Sequence, residues 1–200
     1  MGLRDVMLEE LRDLYSAENQ LVKALPKLAK AAQDEELQQS FSEHLEETTG
    51  QVERLKEVFS LLEEKPTGKH CKGMEGLIEE GKEAIDEEEE GEAYDIGLIG
   101  AAARVEHYEI AGYTAVIAML KGLGLEEAAE PLVETLNEEN EALEKLESKL
   151  QDLIVASAAD ASEDEEDEES EEEDTVTASK SRPAETSRSG SKRREVSVRN

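Results

Sequence analysis

Four long helical segments each carry a carboxylate near their midpoint, at or beside a position where the hydrophobic repeat calls for an apolar side chain: Glu18, Glu47, Glu106 and Glu138. A carboxylate among packed Leu and Ile costs several kcal/mol unless something neutralises it. Four of them meeting in one layer of a bundle therefore need a cation, and the pattern points to a metal site.

The first segment shows this most clearly. Leu3, Met7, Leu11, Leu14, Glu18, Leu21, Leu25 and Leu28 alternate steps of four and three along one helix face, with Glu18 where a Leu belongs. Ile99, Ala103, Glu106, Ile110, Tyr113, Ile117 and Leu120 repeat the arrangement, and Glu106 fills the matching gap. The chain has two Phe and no Trp, and Gly and Pro are sparse up to residue 64, which favours Leu- and Ala-packed helices over sheets. Uncharged stretches such as Ile96 to Ala103 are far too short to span a bilayer, and the N-terminus lacks an apolar signal core, so a cytoplasmic chain is expected. The single cysteine, Cys71, reads as an incidental thiol near a loop.

Breaks in the pattern organise the chain. The first helix is expected from about Leu3 to Ala32, continuing through a local kink at Pro26. Asp34 offers an N-cap for a second from about Glu35 to Glu64, with an apolar stripe of Leu37, Phe41, Leu45, Val52, Leu55, Phe59 and Leu62 and a polar middle at His44, Glu47, Thr48 and Gln51. Pro66 and Gly68 end it. A shorter helix spans about Gly73 to Glu88, a fourth about Glu92 to Lys121, and Gly122 and Gly124 turn into a fifth, about Glu126 to Val155. Two hairpins of long helices joined by a helical crossover make the chain plan of an all-α, ferritin-like four-helix bundle, here over residues 1–155. Residues 156–200 read as a disordered tail, acidic and then basic. Positions 160–174 hold twelve acids in fifteen residues, and 180–199 mix Ser and Thr with seven Lys/Arg. The tail's partner is not defined by the sequence.

Residues 1–155 hold 15 Lys/Arg against 38 Asp/Glu, a balance of −23, and the tail adds −7. Such a surface disfavours nucleic acid and anionic membrane as partners of the folded domain. It suits high internal salt, where screening weakens the self-repulsion.

A faint internal repeat aligns Ala17-Glu18-Asn19-Gln20 with Val105-Glu106-His107-Tyr108, and His44-Leu45-Glu46-Glu47 with Thr135-Leu136-Asn137-Glu138. The implied pseudo-twofold suits a two-metal centre. Carboxylates with some imidazole fit Fe or Mn, whereas structural zinc favours Cys and His clusters. Glu18 and Glu106 are the expected ligands from the first and fourth helices, with Glu47 and Glu138 as bridging candidates. His44, three residues before Glu47, and Glu109, three after Glu106, are further candidates. Glu139 rivals Glu138, because it continues the Leu132, Leu136, Leu143 stripe. His107 points about 100° from Glu106 and is assigned to packing or a dimer contact. Tyr15, Tyr108 and Tyr113 read as core residues with bonded hydroxyls, and His70 is too isolated to form a site.

Several of these stretches together resemble a known family. Leu14-Tyr15-Ser16-Ala17-Glu18-Asn19-Gln20-Leu21, then His44-Leu45-Glu46-Glu47-Thr48 with Gln51 and Arg54-Leu55, then Gly73-Met74-Glu75-Gly76-Leu77-Ile78-Glu79-Glu80, and Val105-Glu106-His107-Tyr108-Glu109-Ile110-Ala111 with Tyr113 are similar to the bacterial YciE/YciF stress-protein family. The likeness runs from about residue 3 to 155. It implies a ferritin-like bundle, a dinuclear metal site with Glu18, Glu47, Glu106, Glu109 and Glu138 as ligands, a homodimer, and a link to stress. The Glu-x-x-His pair usual in the wider ferritin-like superfamily is missing. Thr49 follows Glu46 at that spacing, Glu141 follows Glu138, and His44 precedes its Glu. The site implied is all-carboxylate or nearly so.

Three functions follow as expectations: a protein whose two Fe or Mn ions react with peroxide or oxygen, a stress protein that binds metal without turnover, and a structural bundle. In the last, the buried acids are satisfied by protonation or by Arg104 and Lys145.

Overall fold

A computed structural model describes the backbone of residues 1–67, 69–87 and 91–179, and side chains through residue 158. Five helices follow in order: α1 (Leu3–Ala31), α2 (Glu35–Leu61), α3 (Lys72–Asp86), α4 (Glu92–Gly122) and α5 (Glu126–Ser179). No strand occurs among the described residues. α1 and α2 form one hairpin, α4 and α5 begin a second, and α3 is the crossover, so the fold is the expected ferritin-like bundle. No described helix is long and apolar enough to cross a membrane.

Local chemistry sets the boundaries. The α1–α2 turn is short because two carboxylates hold it. Asp34 caps α2 through the Leu37 amide at 2.8 Å, and buried Asp95 of α4 accepts from the amides of Gln33 (2.9 Å) and Asp34 (2.7 Å). Desolvation raises the Asp34 pKa, but the Lys149 ammonium 2.8 Å away and the Leu37 amide together outweigh it and draw it below its ordinary value. α1 continues helically through Pro26. Gly124, at φ +71°, takes the left-handed conformation that ends the α4–α5 turn.

α5 departs from expectation. Its helix runs past Val155 to Ser179, while the compact unit it helps build ends at Ala159. Residues 160–179 form the described part of a second unit, helical where an irregular chain was expected. Glu and Ala are strong helix formers even where no core is buried. The basic stretch 180–200, Gly68 and the expected end of α3 at Glu88 lie outside the described residues.

The core is in two apolar pieces. One gathers Leu21, Leu25, Phe41, Leu98, Ile99 and Leu146. The other gathers Met7, Leu11, Phe59, Val116, Leu120 and Leu132. A fully buried Leu or Phe contributes about 1.5–3 kcal/mol, so each piece stabilises its own end of the bundle. Leu45 is only half-buried, and α2 turns His44, Thr48 and Gln51 inward instead. The layer between the two pieces is therefore polar.

Candidate metal centre

Five ionisable side chains from four helices meet in that layer: Glu18 of α1, His44 of α2, Glu106 and Glu109 of α4, and Glu139 of α5. All are buried, Glu18 and Glu139 completely. His44, Glu106, Glu109 and Glu139 each offer a donor atom, and those atoms lie within 4.8 Å of one another. Glu106 and Glu109 share a helix face because they are three residues apart. Glu18 lies beside Glu109 in the group and accepts a hydrogen bond from the Tyr113 hydroxyl.

His44 connects the layer to the surface. Its Nδ1 lies 3.2 Å from Glu47 Oε2, and its Nε2 faces Glu106 Oε1 at 3.4 Å and Glu139 Oε2 at 3.8 Å. The Thr48 hydroxyl, buried in the same layer, bonds the His44 carbonyl at 2.8 Å.

Electrostatics show how costly the arrangement is. Burial raises the Glu18 pKa to about 7 despite the Tyr113 hydrogen bond. Burial first, then the neighbouring carboxylates, push Glu109 and Glu139 well above the carboxylate range. Burial disfavours a charged His44, but Glu106, Glu47 and Glu18 outweigh it and its pKa is raised. Hydrogen bonding to His44 lowers Glu47.

The two expected bridging candidates lie elsewhere. Glu47 has 33% of its side chain exposed, with Lys145 at 3.9 Å. Glu138 pairs with Arg54 through both oxygens, at 2.5 and 2.6 Å, and accepts from Gln51 at 3.0 Å. That bidentate pair raises the Arg54 pKa and turns Glu138 away from the layer that Glu139 enters. The stripe through Leu132, Leu136 and Leu143 carried the signal for Glu139, and the repeat favoured its neighbour.

Other residues resolve simply. Arg104 is exposed and bonds the Gly100 carbonyl at 2.8 Å, and His107 is exposed. His70 makes an exposed pair with Glu75 at 3.1 Å. Tyr113 is buried, whereas Tyr15 is half-buried, edge-on to Phe59. Cys71 lies at the end of the loop before α3, as expected, but it is not incidental. It is fully buried, caps α3 at Met74, and contacts Asp13 (2.9 Å) and the Tyr108 hydroxyl (3.0 Å). Burial and Asp13 hold its pKa up, so it stays a thiol.

A mixed carboxylate and imidazole cluster at the middle of a ferritin-like bundle defines the class of protein. Within that class, the chain belongs to the DUF892 family, a domain of unknown function, whose profile matches residues 2–159. It is 46% identical over 154 residues to Protein YciF of Escherichia coli K12, covering 76% of this chain and 90% of that one. The crystal structure of the E. coli stress protein YciF aligns with a TM-score of 0.75 at 44% identity, over 77% of this chain and 98% of that one. YcfI from Rhodopseudomonas palustris aligns at 0.72 and 41%, over 74% and 94%.

Proposed function

We propose that this YciF-like chain is a stress-response protein that binds two Fe or Mn ions in the mid-bundle layer and works as a cytoplasmic homodimer. One observation carries the metal assignment. Seven buried donor atoms of Glu18, His44, Glu106, Glu109 and Glu139 have no hydrogen-bond partner, and Gln51 Oε1 adds an eighth. Buried polar atoms are nearly always satisfied, so such a concentration marks a place where something else binds. Four ionised carboxylates carry a charge that two divalent ions would neutralise, and the hard oxygen donors with one imidazole fit Fe or Mn.

Each residue has a task. Glu18, Glu106, Glu109 and Glu139 would supply oxygen ligands and His44 Nε2 the nitrogen. Glu47 holds His44 Nδ1, which keeps Nε2 directed inward. Tyr113 orients Glu18. Either metal would supply redox chemistry towards peroxide or oxygen.

A second reading is favoured by the crowding of the buried carboxylates, Glu18 beside Glu109 and Glu106 beside Glu139. With their pKa values raised, Glu18, Glu109 and Glu139 would hold protons in a metal-free, structural bundle. Neither Arg104 nor Lys145 pairs with the five buried groups among the described residues. Two variants separate the readings. Glu139→Gln should lower metal content at least severalfold while Glu138→Gln leaves it near the wild-type value. Equal metal content in wild type and Glu139→Gln would sink the site.

A further inference from the structure

Acidity pervades this chain, yet residues 19–33 contain no Asp or Glu and three lysines, Lys23, Lys27 and Lys30. That stretch of α1 borders an apolar cavity of about 110 Å³ shared with α3 and α4. Leu21, Leu28, Ala102 and Val105 form its floor, Leu77 and Ile78 its α3 wall, and Lys23, Lys27 and Lys82 its rim. An engineered apolar cavity of ~150 Å³ holds benzene, so this one takes several carbons of a hydrocarbon chain. It adjoins a wider cleft of about 550 Å³ that shares Lys27, Lys82 and Ile85 and adds Lys30 and Tyr94, with Asp86 as its acid.

Gly81 shows that the space is built into α3. It is buried, it lines the cavity, and a Cβ placed on it would meet nothing within 4 Å. Glycine in a helix interior costs about 1 kcal/mol relative to alanine, and here no close neighbour requires one. The rim is also electrostatically available. Lys82 pairs with Glu79 at 2.6 Å, while neither Lys23 nor Lys27 has a carboxylate within ion-pair distance among the described residues.

We infer that the α1–α3–α4 cleft binds a free long-chain carboxylate, its hydrocarbon chain running into the apolar cavity and its head group on Lys23 and Lys27. The pairing of an apolar interior with Lys23 and Lys27, which have no ion-pair partner among the described residues, selects an anionic amphiphile, and the surrounding acidic surface repels an anionic bilayer. Lysine stems line the mouth while their ammonium groups stay in water.

The test is calorimetric titration of the full-length protein with dodecanoate below its micelle concentration, beside dodecyltrimethylammonium and phosphatidylglycerol vesicles. Dodecanoate should bind at about one per chain. A Lys23→Glu/Lys27→Glu variant should bind it at least tenfold more weakly. Gly81→Leu should abolish binding while melting at or above the wild-type temperature, which separates a filled cavity from a damaged fold. Should Gly81→Leu melt lower, Ala102→Leu serves as the second filling variant, and retained binding in a folded filling variant overturns the inference. So do absence of dodecanoate binding, equal binding of the cation, binding to vesicles alone, or a change of oligomeric state in the lysine variant that shows a second copy seated there.

Discussion

At the scale of single residues, the buried acids make stability depend on pH in an unusual direction. Glu18, Glu109 and Glu139 have folded pKa values above the ordinary 4.5, about 7 for Glu18. The folded metal-free protein therefore keeps protons that the unfolded chain releases, and its stability falls as pH rises from about 4.5 through about 7. His44, also raised, contributes in the same direction, its stabilisation lost as pH rises through its folded value. Glu47 and Asp34, both lowered, act oppositely and only at more acid pH. Calorimetry of chelated protein should give a lower melting temperature at pH 8 than at pH 6, with Mn(II) reversing the trend; a higher melting temperature at pH 8 without metal would contradict the assignment of these burials.

At the scale of elements, the hairpin turn depends on a residue distant in sequence. Asp95→Ala removes two charge-assisted bonds to the Gln33 and Asp34 amides. It should cost about 2–3 kcal/mol in urea unfolding, and a loss below about 0.5 kcal/mol would show that the turn holds itself. Element order was legible because the apolar repeat and its breakers are local signals, so α1 to α4 appear close to their expected bounds and α5 begins where expected. The centre was legible in part. Glu18 and Glu106 interrupt otherwise apolar stripes, and their burial follows from that position. The repeat aligned His44 with Thr135 and Glu47 with Glu138, and by extension Thr48 with Glu139. All of His44, Thr48, Thr135 and Glu139 are buried, so the pseudo-symmetry survives with the ionisable group at opposite ends of an i, i+4 pair. Arg54 draws Glu138 outward, and Asp95 and the Cys71–Asp13–Tyr108 contacts join helices far apart in sequence. Such pairings depend on tertiary geometry that no local pattern encodes.

At the scale of the whole molecule, the folded region carries −23 and repels itself. Added salt screens that repulsion, the Debye length falling from about 10 Å at 0.1 M to about 3 Å at 1 M. The melting temperature in KCl should therefore climb by several degrees over that range, and a flat or falling curve would remove the case for salt adaptation. Charge and proposed centre are linked, because an anionic surface raises the local concentration of divalent cations around the layer proposed to bind them.

The central claim is that the mid-bundle acids exist to hold metal. Elemental analysis of protein purified without chelators or an affinity tag, followed by anaerobic loading, tests it most directly. About two Fe or Mn per chain is the predicted result. Less than about a tenth of an ion per chain after loading would contradict it and leave the protonated bundle as the function of these residues.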